Sequence, residues 1–167
     1  MLVDFERHCA EIVAQAALLT GYIDGTDLTV PVPSCPGWNV SQLLRHVEGG
    51  HRWAAEIVAT PAVQPPPDVE LRNLSGYTHE DPTLLTASLT DGAALLEAGP
   101  EAQMWCPVDG GGAAFYARRF AHETAIHCAD AALALGIEFV VAAGGVVAGG
   151  HRCEMARGDA GIVVCQA

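Results

Sequence analysis

The chain has 167 residues, half of them hydrophobic but only 6% aromatic, and carries a formal charge of −12 from 20 acidic and 8 basic side chains. That length suits one domain with a real core, and the composition is too apolar for a disordered chain. The clustered Lys and Arg that phosphate contacts require are missing, which excludes nucleic acid and anionic membranes as partners.

Taken in chain order, residues 2–20 predict a first helix. Leu2, Phe5, Cys9, Ile12, Ala16 and Leu19 recur at three- and four-residue spacing, and Gly21 ends the pattern. A loop rich in Gly, Asp and Pro follows, running through Pro31, Pro33 and Pro36-Gly37-Trp38. Asn39 then caps a second helix, with Gln42 placed to complete a capping box and Pro61 to stop it after Ala59. Its apolar arc is Val40, Leu43, Leu44, Val47, Ala54 and Val58. Residues 61–80 contain Pro65-Pro66-Pro67 and no periodicity, the signature of a crossover along a bundle.

Asp81-Pro82 opens a third helix that runs to Ala98, with Leu85, Leu89 and Leu96 expected inward. A fourth covers Ala114 to Leu135 and is closed by Gly136. The expected fold is therefore all-α: a four-helix bundle over residues 1–136, with one long crossover. Residues 137–167 form a short Gly/Ala/Val-rich tail with two β-like runs, near Phe139 to Val141 and Ile162 to Cys165, too short for a second domain of usual size. The apolar stretch Leu133 to Gly150 contains Glu138 and several glycines, so it is read as non-spanning. Six cysteines with no C-x-x-C pair, behind an amino terminus that lacks the apolar core of a signal peptide, point to free thiols in the cytoplasm.

The richest segment is Arg119-Phe120-Ala121-His122-Glu123-Thr124-Ala125-Ile126-His127, followed by Asp130. Glu123 and His127 are about 40° apart on a helix and leave from one face. A carboxylate and an imidazole so placed make two thirds of a typical catalytic metal site. His122 lies about 140° from His127, so the run is not the H-E-x-x-H metalloprotease motif.

Tyr116, Arg119, Phe120, Glu123, His127 and Asp130 share one stripe. The opposite face, with Ala117, Ala121, Ala125, Cys128 and Ala132, is small enough for a close neighbour, which would leave the polar stripe buried. The same stripe equally fits an internal ladder of ion pairs, Arg119 to Glu123 to His127. Asp130 either holds the second imidazole nitrogen of His127 or is a solvated acid at the helix end. A third ligand has to come from another helix, where His46 and His51 flank the apolar arc and periodicity does not choose between them. His8, His79 and His151 have no partner at useful spacing and read as surface or loop residues.

Cys35-Pro36-Gly37-Trp38-Asn39-Val40, Leu43-Leu44-Arg45-His46-Val47, His51-Arg52-Trp53-Ala54 and the Glu123/His127 helix with Asp130 follow one another in order. Together they resemble the metal-binding domain of the mycothiol-dependent maleylpyruvate isomerase family, DinB-like four-helix metalloproteins. The resemblance covers residues 1–136. It implies a divalent metal, usually zinc, held by His46, Glu123 and His127. His51 lies about 140° from His46 on a helix, so both cannot face one metal, and Asp130, three residues after His127, is then read as the group behind that imidazole. The resemblance also implies mycothiol as thiol cofactor and an electrophilic small molecule as substrate. The metal would favour the thiolate, which adds to an activated double bond for isomerisation or attacks another electrophile for S-transfer.

Arg119 is the candidate catalytic cation for substrate carboxylates. Family enzymes carry a second, carboxy-terminal domain that the tail here does not resemble. The expectation is metal binding with weak isomerisation. The alternatives are a non-catalytic metal-binding module and a purely structural bundle. A homodimer is compatible with each.

Overall fold

The computed structural model describes residues 2–59 and 86–139. The described residues form four helices: α1 Leu2–Ile23, α2 Val40–Ala59, α3 Thr86–Ala98 and α4 Ala113–Leu135. Strands are absent among the described residues, and the architecture is an all-α, DinB-like bundle.

Two apolar clusters fix how the helices run. One joins Phe5, Cys9 and Ile12 of α1 to Ala54 and Ile57 of α2, Leu95 of α3, and Ala113, Tyr116, Ala117, Phe120 and Ala121 of α4. The other joins Leu19 and Ile23 of α1 to Val40 through Val47 of α2 and to Cys128 and Ala131 of α4. Helices α1 and α4 therefore run the same way, and α2 runs against both. Leu95, late in α3, sits with the late residues of α2, so α2 and α3 are parallel. This is the connectivity of a bundle with one long crossover. Around the bundle, α1 and α2 each pack on α3 and α4, and α1 and α2 lie across a diagonal.

The capping box at α2 is formed. Asn39 Oδ1 accepts from the Gln42 N–H at 2.9 Å, and Gln42 Oε1 accepts from the Asn39 N–H at 2.9 Å. Such a cap stabilises a helix by about 1 kcal/mol and fixes where its first turn begins. At the carboxy-terminal end of α4, Gly136 adopts φ 67°. The Ile137 N–H reaches back to the Ala132 carbonyl at 2.8 Å, which closes α4 with a left-handed cap.

Some expectations need correction. Helix α1 continues through Gly21 to Ile23, and the left-handed turn comes at Gly25, φ 68°. In α3 it is Leu95 that is fully buried, whereas Leu96 is 52% exposed. The reason is packing on two neighbours at once, α1 and α2, which rotates the buried arc by one residue. The small face of α4 is covered, with Ala117, Ala121, Cys128 and Ala132 at 0% exposure. The polar stripe is graded instead of buried: Tyr116 and Asp130 are inside, while the Arg119 side chain is 52% exposed. His8 is not a simple surface residue, because its half-buried ring lies 6.2 Å from that of His122.

The start of the third helix at Asp81-Pro82, Leu85, the side chain of Leu89, the Pro-rich segment, His79, His151 and the β-like runs (save Phe139) lie outside the described residues. Among the described residues, no helix is long and apolar enough to cross a membrane.

Candidate metal centre

The site lies where the first half of α2 faces the second half of α4. Gly50 sets the approach of the two helices. A Cβ built there would meet Phe120 Cε1 at 3.2 Å, so the aromatic ring packs against bare backbone. His46, one turn before Gly50, and Glu123, one turn after Phe120, are thereby brought face to face.

His46 Nε2 lies 3.3 Å from Glu123 Oε1. The His46 and His127 rings meet edge to face, with centroids 4.9 Å apart. One ligand atom from each of His46, Glu123 and His127 falls within 4.8 Å of the others. Around a tetrahedral cation with bonds of about 2.0–2.1 Å to nitrogen and oxygen, ligand atoms stand about 3.3–3.4 Å apart. The His46–Glu123 pair already has that separation, and the donor set, two imidazoles and one carboxylate, is that of catalytic zinc sites.

Two of the three donors are held from behind. His127 Nδ1 lies 2.9 Å from Asp130 Oδ2, which leaves Nε2 for a cation. An ionised Asp130 can only accept, so the proton of that pair sits on Nδ1. The Ser34 hydroxyl donates to Asp130 Oδ1 at 2.6 Å, and Cys35 Sγ lies 3.8 Å from Oδ2. Arg119 reaches Glu123 Oε2 at 2.9 Å. The hydrogen bond with His46, helped by the Arg119 guanidinium, holds the Glu123 carboxyl below the ordinary carboxylate value against the opposing effect of burial. The Trp38 ring, 5.2 Å from that of His46, walls one side.

The loop before α2 carries these outer groups. The Val32 N–H donates to the Trp38 carbonyl at 2.9 Å, the Val40 N–H to Val30 at 3.0 Å and the Ser41 N–H to Leu28 at 2.9 Å. Gly37, at φ 83°, makes the turn. Ser34, Cys35 and Trp38 are thus pinned against the last turns of α4. Cys35 and Trp38 belong to the sequence signature at the entry to α2, whereas Ser34 lies outside it. The contacts of Ser34 and Cys35 with Asp130 span 96 and 95 residues of chain and leave no periodic signal.

His51 goes elsewhere. It is 1% exposed, and its Nε2 lies 2.7 Å from Thr124 Oγ1. The Thr124 hydroxyl spends its proton on the Phe120 carbonyl at 2.6 Å, so it accepts from His51 Nε2–H. Among the described residues, His51 does not join Glu123 and His127 in a converging set of donors. Of the ion-pair ladder, the Arg119–Glu123 rung is present. The other Glu123 oxygen turns across the helix interface to His46. Cys128 is fully buried, and burial pushes its thiol up to about 12.

An all-α bundle that presents two histidines and a glutamate between facing helices defines the class: a helical protein with a candidate metal centre. More specifically, the family model for the mycothiol maleylpyruvate isomerase N-terminal domain matches residues 9–132, well over half of the chain, and the protein belongs to that family. Neither the curated proteins nor the solved structures contain a match.

Proposed function

We propose that the protein binds one divalent cation, zinc in the first instance, through His46 Nε2, one oxygen of Glu123 and His127 Nε2. On this reading it uses the cation to activate mycothiol. The observation that carries the proposal is the convergence of the three donors within 4.8 Å, at the helix interface, in a chain of this family. A cation held by three protein ligands keeps an open position and supplies the positive charge that favours thiolate over thiol.

The chain's own residues account for the rest of the reading. The His46 side chain is 39% exposed, so a small molecule can reach the donors from solvent. Arg119, half in solvent and anchored on Glu123, is placed to orient a carboxylate-bearing electrophile at the mouth of the site. Asp130 fixes the tautomer of His127, and Trp38 limits the approach on the side of His46. The reaction is isomerisation of an activated double bond or S-transfer to an electrophile.

The test is elemental analysis of protein incubated with zinc, alongside titration with the thiol. About one equivalent is expected for the wild type, and loss of metal with retained helicity for His127→Ala. Wild-type protein that takes up less than about a tenth of an equivalent would exclude the site.

A further inference from the structure

A second set of donors meets at His127. One ligand atom from each of Cys35, His127 and Asp130 lies within 4.8 Å of the others. Asp130 Oδ2 is the common point, 2.9 Å from His127 Nδ1 and 3.8 Å from Cys35 Sγ. A tetrahedral cation with bonds of about 2.3 Å to sulfur and 2.0–2.1 Å to nitrogen and oxygen needs spacings of about 3.6 and 3.3 Å for these pairs. Both observed distances fall within about half an ångström of those values.

The set is also held in place. Asp130 is buried at 6% exposure, and its other oxygen is fixed by the Ser34 hydroxyl at 2.6 Å. Ser34 precedes Cys35 in a loop tied back by the Cys35 N–H to the Val32 carbonyl at 3.1 Å. Thiolate, imidazole and carboxylate together suit zinc and its softer analogues better than magnesium or calcium, which prefer oxygen alone.

We propose that Cys35, His127 and Asp130 form a second position for a thiophilic divalent cation, occupied in competition with the position at His46, Glu123 and His127. The balance of protons explains the competition. A neutral imidazole has one lone pair. When Nδ1 takes the cation, the ring proton moves to Nε2, and the Cys35 thiol proton leaves to solvent. Nε2 then carries a hydrogen and cannot hold an ion at the first position. No oxidation or reduction is involved. The competition rests on the cation reading of the first position. The second position stands on its own donors.

Cobalt(II) is the probe, because a thiolate ligand gives an intense near-ultraviolet charge-transfer band that nitrogen and oxygen ligands do not. Removing the first position with His46→Ala and Glu123→Gln together should leave one equivalent of bound cobalt and strengthen the band. Adding Cys35→Ser to that background should abolish the band and weaken binding at least tenfold. Cys35→Ser alone should keep one equivalent and show no band.

Cobalt bound to the wild type without a thiolate band, and lost in the double variant, would overturn the second position and leave the first intact. A band that survives Cys35→Ser would overturn it too, since the sulfur would then be another cysteine. A wild-type band lost in Cys35→Ser together with all of the bound cobalt would keep the second position and defeat the first. Far-ultraviolet circular dichroism checks that each variant is folded, and Cys35→Ala repeats the measurement should the serine variant misfold.

Discussion

Replacing Asp130 by asparagine changes one oxygen to an amide nitrogen and little else in shape. The side-chain oxygen can still accept the Ser34 hydroxyl, which now lies 2.6 Å away. That orientation turns the amide NH2 toward His127 Nδ1, where the carboxylate oxygen sits at 2.9 Å. Two donors would then face each other at a site that is 6% exposed, with little room for water to separate them. The ring relieves the conflict by moving its proton to Nε2, the nitrogen assigned to the cation. Zinc affinity should fall about 10- to 100-fold, the usual effect of losing a carboxylate behind a ligating histidine, or about 1.4–2.7 kcal/mol. The measurement is a competition titration against a chromophoric chelator. It is best done in a Cys35→Ser background so that only the first position is read. Nitrogen-15 chemical shifts of the imidazole report the tautomer directly. Zinc affinity within about twofold of the parent, with Nδ1 still protonated, would refute the reasoning that Asp130 orients His127.

Other outcomes follow from the packing. Leu95→Ala should lower the unfolding free energy by about 2–5 kcal/mol in urea titrations, because that side chain is fully buried. Leu96→Ala, at a position 52% exposed, should change it by no more than about 0.5 kcal/mol; equal losses would mean that α3 is rotated from the orientation described. Gly136→Ala should cost about 1 kcal/mol, because φ 67° burdens any residue with a Cβ, and an unchanged melting temperature would argue against the left-handed cap. His8 is held below its ordinary value of 6.5 by burial, with His122 adding to the effect, so folding favours the neutral ring. That contribution is fully present above pH 6.5 and is lost as the pH falls through the lowered folded value. His8→Gln should therefore flatten the decline of stability below pH 6.5, and an unaltered slope would show that His8 is not its source.

What was legible in the sequence was whatever repeats at short range. The start of α2, its capping box and the end of α4 at Gly136 are local chemistry, and they lie where the residues indicate. The pairing of Glu123 with His127 is legible for the same reason, since helical spacing alone puts them on one face. The choice between His46 and His51 was not legible in periodicity, because both flank the arc of α2. The family resemblance pointed to His46, and the packed structure puts His46 beside Glu123 and His51 under Thr124. The inward residue of α3 was misjudged because three leucines were assigned to a single face, whereas the helix leans on two neighbours. Ser34 and Cys35 were invisible as partners of Asp130, since loop-to-helix contacts across most of the chain carry no periodicity.

The arrangement also indicates how the donor geometry is maintained. A cluster of donors assembled only by its own attractions would pull its helices together when a metal binds and relax when it leaves. Here the spacing of α2 and α4 is set one turn away, by Phe120 against Gly50, and by apolar clusters on either side. His46, Glu123 and His127 are therefore presented by helices whose separation does not depend on them. Asp130 and Arg119 orient two of the three from behind. Pre-organisation of this kind places the ordering cost in the folding of the bundle and leaves less of it to the binding step. It also separates two roles within one helix. The early half of α4, from Ala113 to Ala121, packs in the core, whereas the late half divides its faces between the core, through Cys128 and Ala131, and the candidate site, through Glu123, His127 and Asp130.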